Sequence, residues 1–405
     1  KNRVFKLDTP NSTYMFVILD EENFVGHIYY GRKVKDSGLA SLIRVNNPSS
    51  LPSANDRDRV NFLDALPMEY STHGVGDFRE ACLSVKSKNG NTACSLSYVS
   101  HKIYKGKPKL EGLPATFGSD EDCTTLELLC EDKILNLQIT LFYTTFENLD
   151  VITRSVRVSN ASSDPVYLTR VLSACLDMDN KEYDMITSYG QWARERMINR
   201  RRITDGKNRV SSLRGVSSHQ EQPFLAILEH HAGEDHGEVY AMNLVYSGNF
   251  MAQAEITQGD MLRVTMGINP EDFVWKLNPG ETFTAPEAVL VYSYQGLGQM
   301  TRTFHDLYRR HLIRGKYKDK KRPILINNWE ATYFDFDTDK LLDIARQASK
   351  LGIEMLVMDD GWFGHRNDDN SSLGDWVVNE NKIKGGIKYL VDEVNKIGLK
   401  FGIWV

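Results

Sequence analysis

The stretch Met358-Asp359-Asp360-Gly361-Trp362 is the most informative in the sequence. It sets two adjacent acids at the end of a short apolar run, Glu354 to Met358. An earlier run, Pro323 to Trp329, ends in Asn327-Asn328-Trp329-Glu330. A later one, Lys400-Phe401-Gly402-Ile403-Trp404-Val405, closes the sequence. Helical patterns separate the three. Leu341, Leu342, Ala345, Ala348 and Leu351 share one face, with Asp337 or Thr338 as cap and Gly352 as stop. Ile387, Leu390, Val391, Val394 and Ile397 share another, with Gly398 as stop. Short apolar strands alternating with amphipathic helices predict the first three βα units of a (β/α)8 barrel, where chemistry gathers at the C-terminal strand ends. Three strands leave an open edge. The pattern therefore predicts either further chain beyond Val405 or a partial barrel packed against the rest of the protein.

Working upstream, Lys1 to about Tyr294 reads as β almost throughout. Leu135, Leu137, Ile139 and Leu141 face one way within Ile134 to Leu141, and Asn136, Gln138 and Thr140 the other. Leu262, Val264 and Met266 alternate with Arg263 and Thr265 in the same manner. Asn89-Gly90, Ser247-Gly248-Asn249 and Pro279-Gly280 supply turns. Strands without intervening helices over such a length predict a large antiparallel sandwich. From Gly298 the period becomes helical, with Met300, Phe304, Leu307, Tyr308 and Leu312 on one stripe and Gly315 beyond it. The expected division is thus a β-sandwich domain over 1–295, a connecting helix and basic linker over 296–322, and the N-terminal part of the barrel over 323–405.

Bulk properties narrow the function classes. A net charge of −5 over 405 residues argues against nucleic acid as the main partner, since phosphate binding needs a basic face. Arg194 to Arg202 is basic but interleaved with Glu195 and apolar residues, which predicts a solvated or ion-paired surface. No stretch approaches the ~20 apolar residues that span a bilayer. The start, Lys1-Asn2-Arg3-Val4-Phe5, has neither an apolar core nor an initiator Met, and reads as a trimmed or cloned piece, not a signal peptide. Five cysteines, Cys82, Cys94, Cys123, Cys130 and Cys175, lack metal-ligand spacing and read as buried thiols of a cytoplasmic protein.

The paired acids carry the chemistry. Ionised carboxylates accept hydrogen bonds from neighbouring hydroxyls, as a hexose offers. Trp329, Trp362 and Trp404 lie near three successive strand ends, where indole faces can stack on a sugar. The plainer alternative has Asp359 capping the next turn and the tryptophans filling the rim. Asp359, Asp360, His365, Asp368 and Asp369 raise the question of a metal. However, Asn367-Asp368-Asp369-Asn370-Ser371 lacks the glycine and closing glutamate of a calcium loop, so no metal and no cofactor are expected.

At this point the residues reach a resemblance. Ile324-Leu325-Ile326-Asn327-Asn328-Trp329-Glu330-Ala331-Thr332-Tyr333-Phe334, Met358-Asp359-Asp360-Gly361-Trp362-Phe363-Gly364 and Ser372-Leu373-Gly374-Asp375-Trp376 resemble the α-galactosidases of glycoside hydrolase family 36. So do Glu69-Tyr70, Gly76-Asp77-Phe78-Arg79, His101 to Pro108, Gly112 to Thr116, Trp192 to Arg196 and Tyr246 to Phe250. The likeness runs along essentially the whole chain.

The resemblance implies a large antiparallel β-supersandwich followed by a (β/α)8 barrel, and retaining hydrolysis of terminal α-galactosides such as melibiose and raffinose by a cytoplasmic tetramer. It matches Asp359 and Asp360 to the pair that holds galactose O4 and O6, and Trp329 and Trp404 to aromatic residues lining the sugar site. It matches Trp192, and less closely Arg59, to sandwich residues that reach an active site, Trp192 that of a neighbouring subunit. Retention requires a nucleophile and an acid/base carboxyl about 5 Å apart. The resemblance places both on later strands, beyond Val405, so 1–405 alone is expected to be inactive. A galactosyl transferase of the same lineage and a non-catalytic sugar-binding or oligomer-building module are the competing expectations.

Overall fold

The computed structural model describes residues 3–19, 22–36, 38, 42–43 and 63–405. Two compact units divide the chain, Lys1–Ile313 and Arg314–Val405.

Among the described residues the first unit is built from three antiparallel sheets. Arg3–Asp8, Ser12–Leu19 and Phe24–Arg32 form a small one. A ten-stranded sheet runs from the hairpin Asp184–Gln191 and Arg194–Arg202, through Phe224–Leu228, Val239–Val245 and Glu287–Ser293, to Val151–Asn160, Leu137–Phe146, Cys123–Asp132 and Ser97–Lys105, with Thr282–Thr284 also paired to Val151–Asn160. A six-stranded sheet centres on Phe250–Ile256, Met261–Ile268 and Val166–Asp179. All three contribute to one apolar core, in which Phe16, Leu128, Leu172, Val264 and Leu290 are buried together. The helix Gly296–His311 packs Met300, Phe304 and Leu307 on Val239, Val289 and Val291, residues of the ten-stranded sheet that are absent from that core. Hence Glu287–Ser293 is buried throughout: Ala288, Leu290 and Tyr292 enter one core, Val289 and Val291 the other. A strand covered on both faces reads as a continuous apolar run.

Two expectations are corrected. The strand expected from Ile134 starts at Leu137, because 133–136 form a turn in which Asn136 has φ 55° and Ile134 is 89% exposed. Alternation holds only from Leu137 onward. Arg263, expected on a polar face, is 0% exposed and donates to Asp177 at 2.7 Å and Asp77 at 3.1 Å. The strand is buried from Met261 to Gly267, and its arginine is buried as part of an ion cluster with Asp77, Arg79 and Asp177.

A second guanidinium joins the sheets. Arg154, on a strand of the ten-stranded sheet, donates to Tyr14 Oη of the small sheet at 2.9 Å and to the Cys175 carbonyl of the six-stranded sheet. It also pairs with Glu69 at 3.0 Å. Glu69 accepts from the Tyr14 and Tyr143 hydroxyls at 2.6 and 2.8 Å and meets His27 Nδ1 at 2.9 Å. Burial pushes the Glu69 carboxyl upward, but Arg154, His27 and Tyr14 together hold it below its usual range. The five cysteines are free and buried. No helix among the described residues is long and apolar enough to cross a membrane.

In the second unit, Leu325–Asn327, Met355–Met358 and Lys400–Ile403 form a parallel sheet in sequence order. The helix Thr338–Lys350 follows the first strand and Gly386–Lys396 the second. Asp337 caps the former by accepting from Lys340 N at 2.9 Å. Leu341, Leu342, Ala345, Leu390 and Val394 close over Leu356 and Met358, as the helical stripes predict. Trp329 belongs to a short helical turn, Trp329–Thr332, and not to the first strand.

Replacing Arg154 by leucine leaves Glu69 buried without its cation, a change expected to cost about 3–5 kcal/mol. Chemical denaturation will show it as a lowered midpoint. Because the folded Glu69 carboxyl lies below its unfolded value near ~4.3, its contribution is complete above that pH and disappears as pH falls through the folded value. Glu69→Gln should therefore flatten the acid side of the wild-type stability profile.

Candidate functional site

Parallel pairing aligns the three strand ends. Leu325 pairs with Met355 and Asn327 with Val357, while Met358 pairs with Ile403. Trp404 N donates to the Met358 carbonyl at 2.9 Å, continuing that ladder. Asn327, Asn328, Asp359, Asp360 and Trp404 therefore emerge at one end of the sheet.

Side-chain amides then fix the acids. Asn328, fully buried, accepts the Asp359 backbone N–H on Oδ1 at 2.8 Å and donates Nδ2 to Thr332 Oγ1 at 2.8 Å. Asn327 donates Nδ2 to Asp359 Oδ2, and its own oxygen accepts Trp329 N–H at 2.7 Å. The other Asp359 oxygen accepts Asp360 N–H at 2.8 Å. Asp360 is 7% exposed and binds Arg366 with both oxygens: Nε donates to Oδ1 at 2.6 Å and Nη2 to Oδ2 at 2.8 Å. That hydrogen bonding, with the charge of Asp360 behind it, raises the guanidinium's pKa despite the desolvation that opposes it. The turn after Asp360 needs Gly361, where φ is 100° and a Cβ would lie 2.9 Å from Phe334 Cδ1. Lys382 Nζ closes the turn by donating to the carbonyls of Phe334 at 2.8 Å and Gly361 at 3.1 Å, and burial lowers its pKa.

Aromatic rings gather at the same strand ends. Trp329 is half-buried, with Phe334 edge-on at 5.0 Å. Half-buried Trp404 lies parallel to Phe363 at 6.4 Å and edge-on to Trp376 at 6.1 Å. Trp362, expected beside them on the rim, turns inward instead. It is buried and donates Nε1–H to the Trp404 carbonyl at 2.9 Å, so it supports Trp404 from within the core. Ionised carboxylates with unfilled acceptor sites, flanked by indoles, suit a ligand that presents both hydroxyls and C–H faces. Among the described residues no three His, Cys, Asp or Glu side chains gather as a metal site.

In the first unit, Trp192 occupies the tip of the hairpin Asp184–Arg202 and is 85% exposed. The tip is tight enough that a Cβ on Gly190 would lie 2.0 Å from the Arg194 carbonyl oxygen. Arg59 lies outside the described residues.

A family model described as the glycosyl hydrolase family 36 N-terminal domain matches residues 23–278, and one described as melibiase matches 282–405. The chain belongs to glycosyl hydrolase family 36. It is 46% identical to alpha-galactosidase AgaA of Geobacillus stearothermophilus over all of its own length and 56% of that protein's. It is 43% identical to alpha-galactosidase Mel36A of Lactobacillus acidophilus, again over its full length and 55% of the relative's. The crystal structure of AgaA superposes with a TM-score of 0.95 and is likewise covered for 56% of its length; a variant of that enzyme has been crystallised with raffinose. The chain thus spans about half the length of the curated relatives it matches.

Within this family-36 chain the structure brings Asp359, Asp360, Trp329 and Trp404 into one unit at aligned strand ends, and leaves Trp192 on a separate hairpin. Reading the sequence missed Asn328, Arg366 and Lys382. The signal for Asn328 was its place directly after a strand. Arg366 stands at the edge of what reads as a solvated acidic loop, and nothing in its spacing points six residues back to Asp360. Asn328→Ala removes the acceptor of a buried N–H and should cost about 1–3 kcal/mol. The loss will appear in thermal melting together with faster amide exchange at Asp359.

Proposed function

We propose that the protein is a retaining α-galactosidase acting on terminal α-galactosides of the melibiose and raffinose type. Membership of family 36 and likeness to alpha-galactosidases along the whole of this chain and about half of theirs support this. The observation that carries it is the pair Asp359 and Asp360, fixed by Asn327, Asn328 and Arg366 between Trp329 and Trp404. In this proposal the sandwich over 1–295 and the connector over 296–322 precede a (β/α)8 catalytic barrel that starts at 323. The remaining acceptor sites of the two carboxylates hold sugar O4 and O6, and Trp329 and Trp404 line the ring. The nucleophile and acid/base belong to later strands. Hydroxyl contacts that tighten as the ring flattens toward the oxocarbenium ion contribute to rate as well as affinity.

The exposed Trp192, and Arg59 with it, are assigned to sugar binding from the sandwich side in a homotetramer. Tyr189 and Ile198 on the same hairpin are also exposed, which suits an assembly surface. Five free, buried thiols suit a reducing cytoplasm.

The test is steady-state kinetics of the full-length protein with p-nitrophenyl α-galactoside. Asp359→Asn should lower kcat/KM about a hundred-fold or more, the scale of losing one charged contact that strengthens at the transition state. Residues 1–405 expressed alone should give no turnover. Turnover by that piece, or a full-length protein inert toward every α-galactoside, refutes the proposal. Trp192→Ala should raise KM in the same assay, and light scattering should give the mass of four chains.

A further inference from the structure

We infer that Arg366 is a positioning residue for sugar recognition: it fixes the plane of the Asp360 carboxylate and links that acid to both aromatic walls. This rests on the proposed galactosidase function. Arg366 is 5% exposed, and every nitrogen of its guanidinium has a partner. Nε and Nη2 hold Asp360, and Nη1 donates to the Ser371 carbonyl at 2.7 Å. Its Cζ lies 5.7 Å from the centroid of Phe334 and 5.9 Å from that of Phe363. Phe334 meets Trp329 edge-on, and Phe363 lies parallel to Trp404. One planar cation therefore touches the acid and the ring behind each tryptophan.

The chemistry follows from the fork. A carboxylate has about four acceptor sites, and a bidentate guanidinium uses one on each oxygen while setting the plane of the group. The two sites left over then point in fixed directions. An ammonium ion is a point charge and imposes no such plane. The ion pair would hold the loop together in any case, so the distinguishing readout must be selectivity and not stability.

Full-length wild type, Arg366→Lys and Arg366→Gln are compared on p-nitrophenyl α-galactoside and on its 4-deoxy and 6-deoxy analogues, with thermal melting and galactose calorimetry alongside. Displacing a binding carboxylate by about 1 Å should cost roughly a hundred-fold in kcat/KM on the parent substrate. The analogue lacking the hydroxyl that Asp360 holds should lose far less, so that the preference for the parent falls by about tenfold or more in Arg366→Lys. Equal losses on all three substrates, or none, would overturn the positioning role while leaving the galactosidase function intact. If Arg366→Gln fails to fold, Arg366→Lys carries the test through the same ratios. Wild type without turnover on any substrate would refute the underlying function, and this inference with it.

Discussion

Arg154 is the constraint on which the sandwich depends. It springs from the ten-stranded sheet, yet bonds Tyr14 of the small sheet and Cys175 of the six-stranded one, with Glu69 as its counter-ion. Apolar burial is non-directional and permits sheets to slide. A buried guanidinium is not so permissive, because each unpaired N–H would stay desolvated without compensation. The register between three sheets is thereby tied to one residue. The cluster of Arg79, Arg263, Asp77 and Asp177 buries two more guanidiniums, fastening the segment 77–79 to the six-stranded sheet.

The same rule governs the second unit, with a different consequence. Asp360 is almost wholly removed from water, and Arg366 supplies two matched donors to its carboxylate. Asp359 is less buried, and is held by an amide and a backbone N–H instead. Two adjacent acids thus obtain different supports. Like charges side by side repel, and engaging each with its own fixed donors is what lets both stand at one strand end.

How far the sequence disclosed this can be judged from individual residues. The parallel strands, the cap at Asp337 and the stripes of Leu341, Ala345, Leu390 and Val394 follow from periodicity and capping chemistry, which are local. The two-sided burial of Glu287–Ser293 was not legible, since it depends on a helix that packs on the sheet's other face. Arg263 misled for the same reason: alternation tells which residues share a face, and says nothing of whether that face meets water. The motifs Glu69-Tyr70 and Gly76-Asp77-Phe78-Arg79, which carried part of the resemblance, are buried ion sites of the sandwich. At the strand ends, Asp359, Asp360, Trp329 and Trp404 were singled out by residue type and position. Trp362 satisfied the same criteria and points inward, because a strand-end position fixes where the backbone is and leaves the side chain's direction to the following turn.

That turn begins where the ladder between the first two strands changes partner. Within the strands, backbone N–H groups donate to neighbouring carbonyls, and Asn328 N still reaches the Val357 carbonyl at 3.3 Å. One step further, Asp359 N–H finds the Asn328 side chain in place of a carbonyl. The ladder therefore ends on an amide that is itself held by Thr332. Freed from pairing, the chain can take the positive φ at Gly361, permitted by the absence of a Cβ against Phe334, and double back so that Arg366 meets Asp360. The replacement of one carbonyl by one side-chain amide thus ends the ladder between Leu325–Asn327 and Met355–Met358 at the two acids, and the turn that follows brings Asp360 its guanidinium partner.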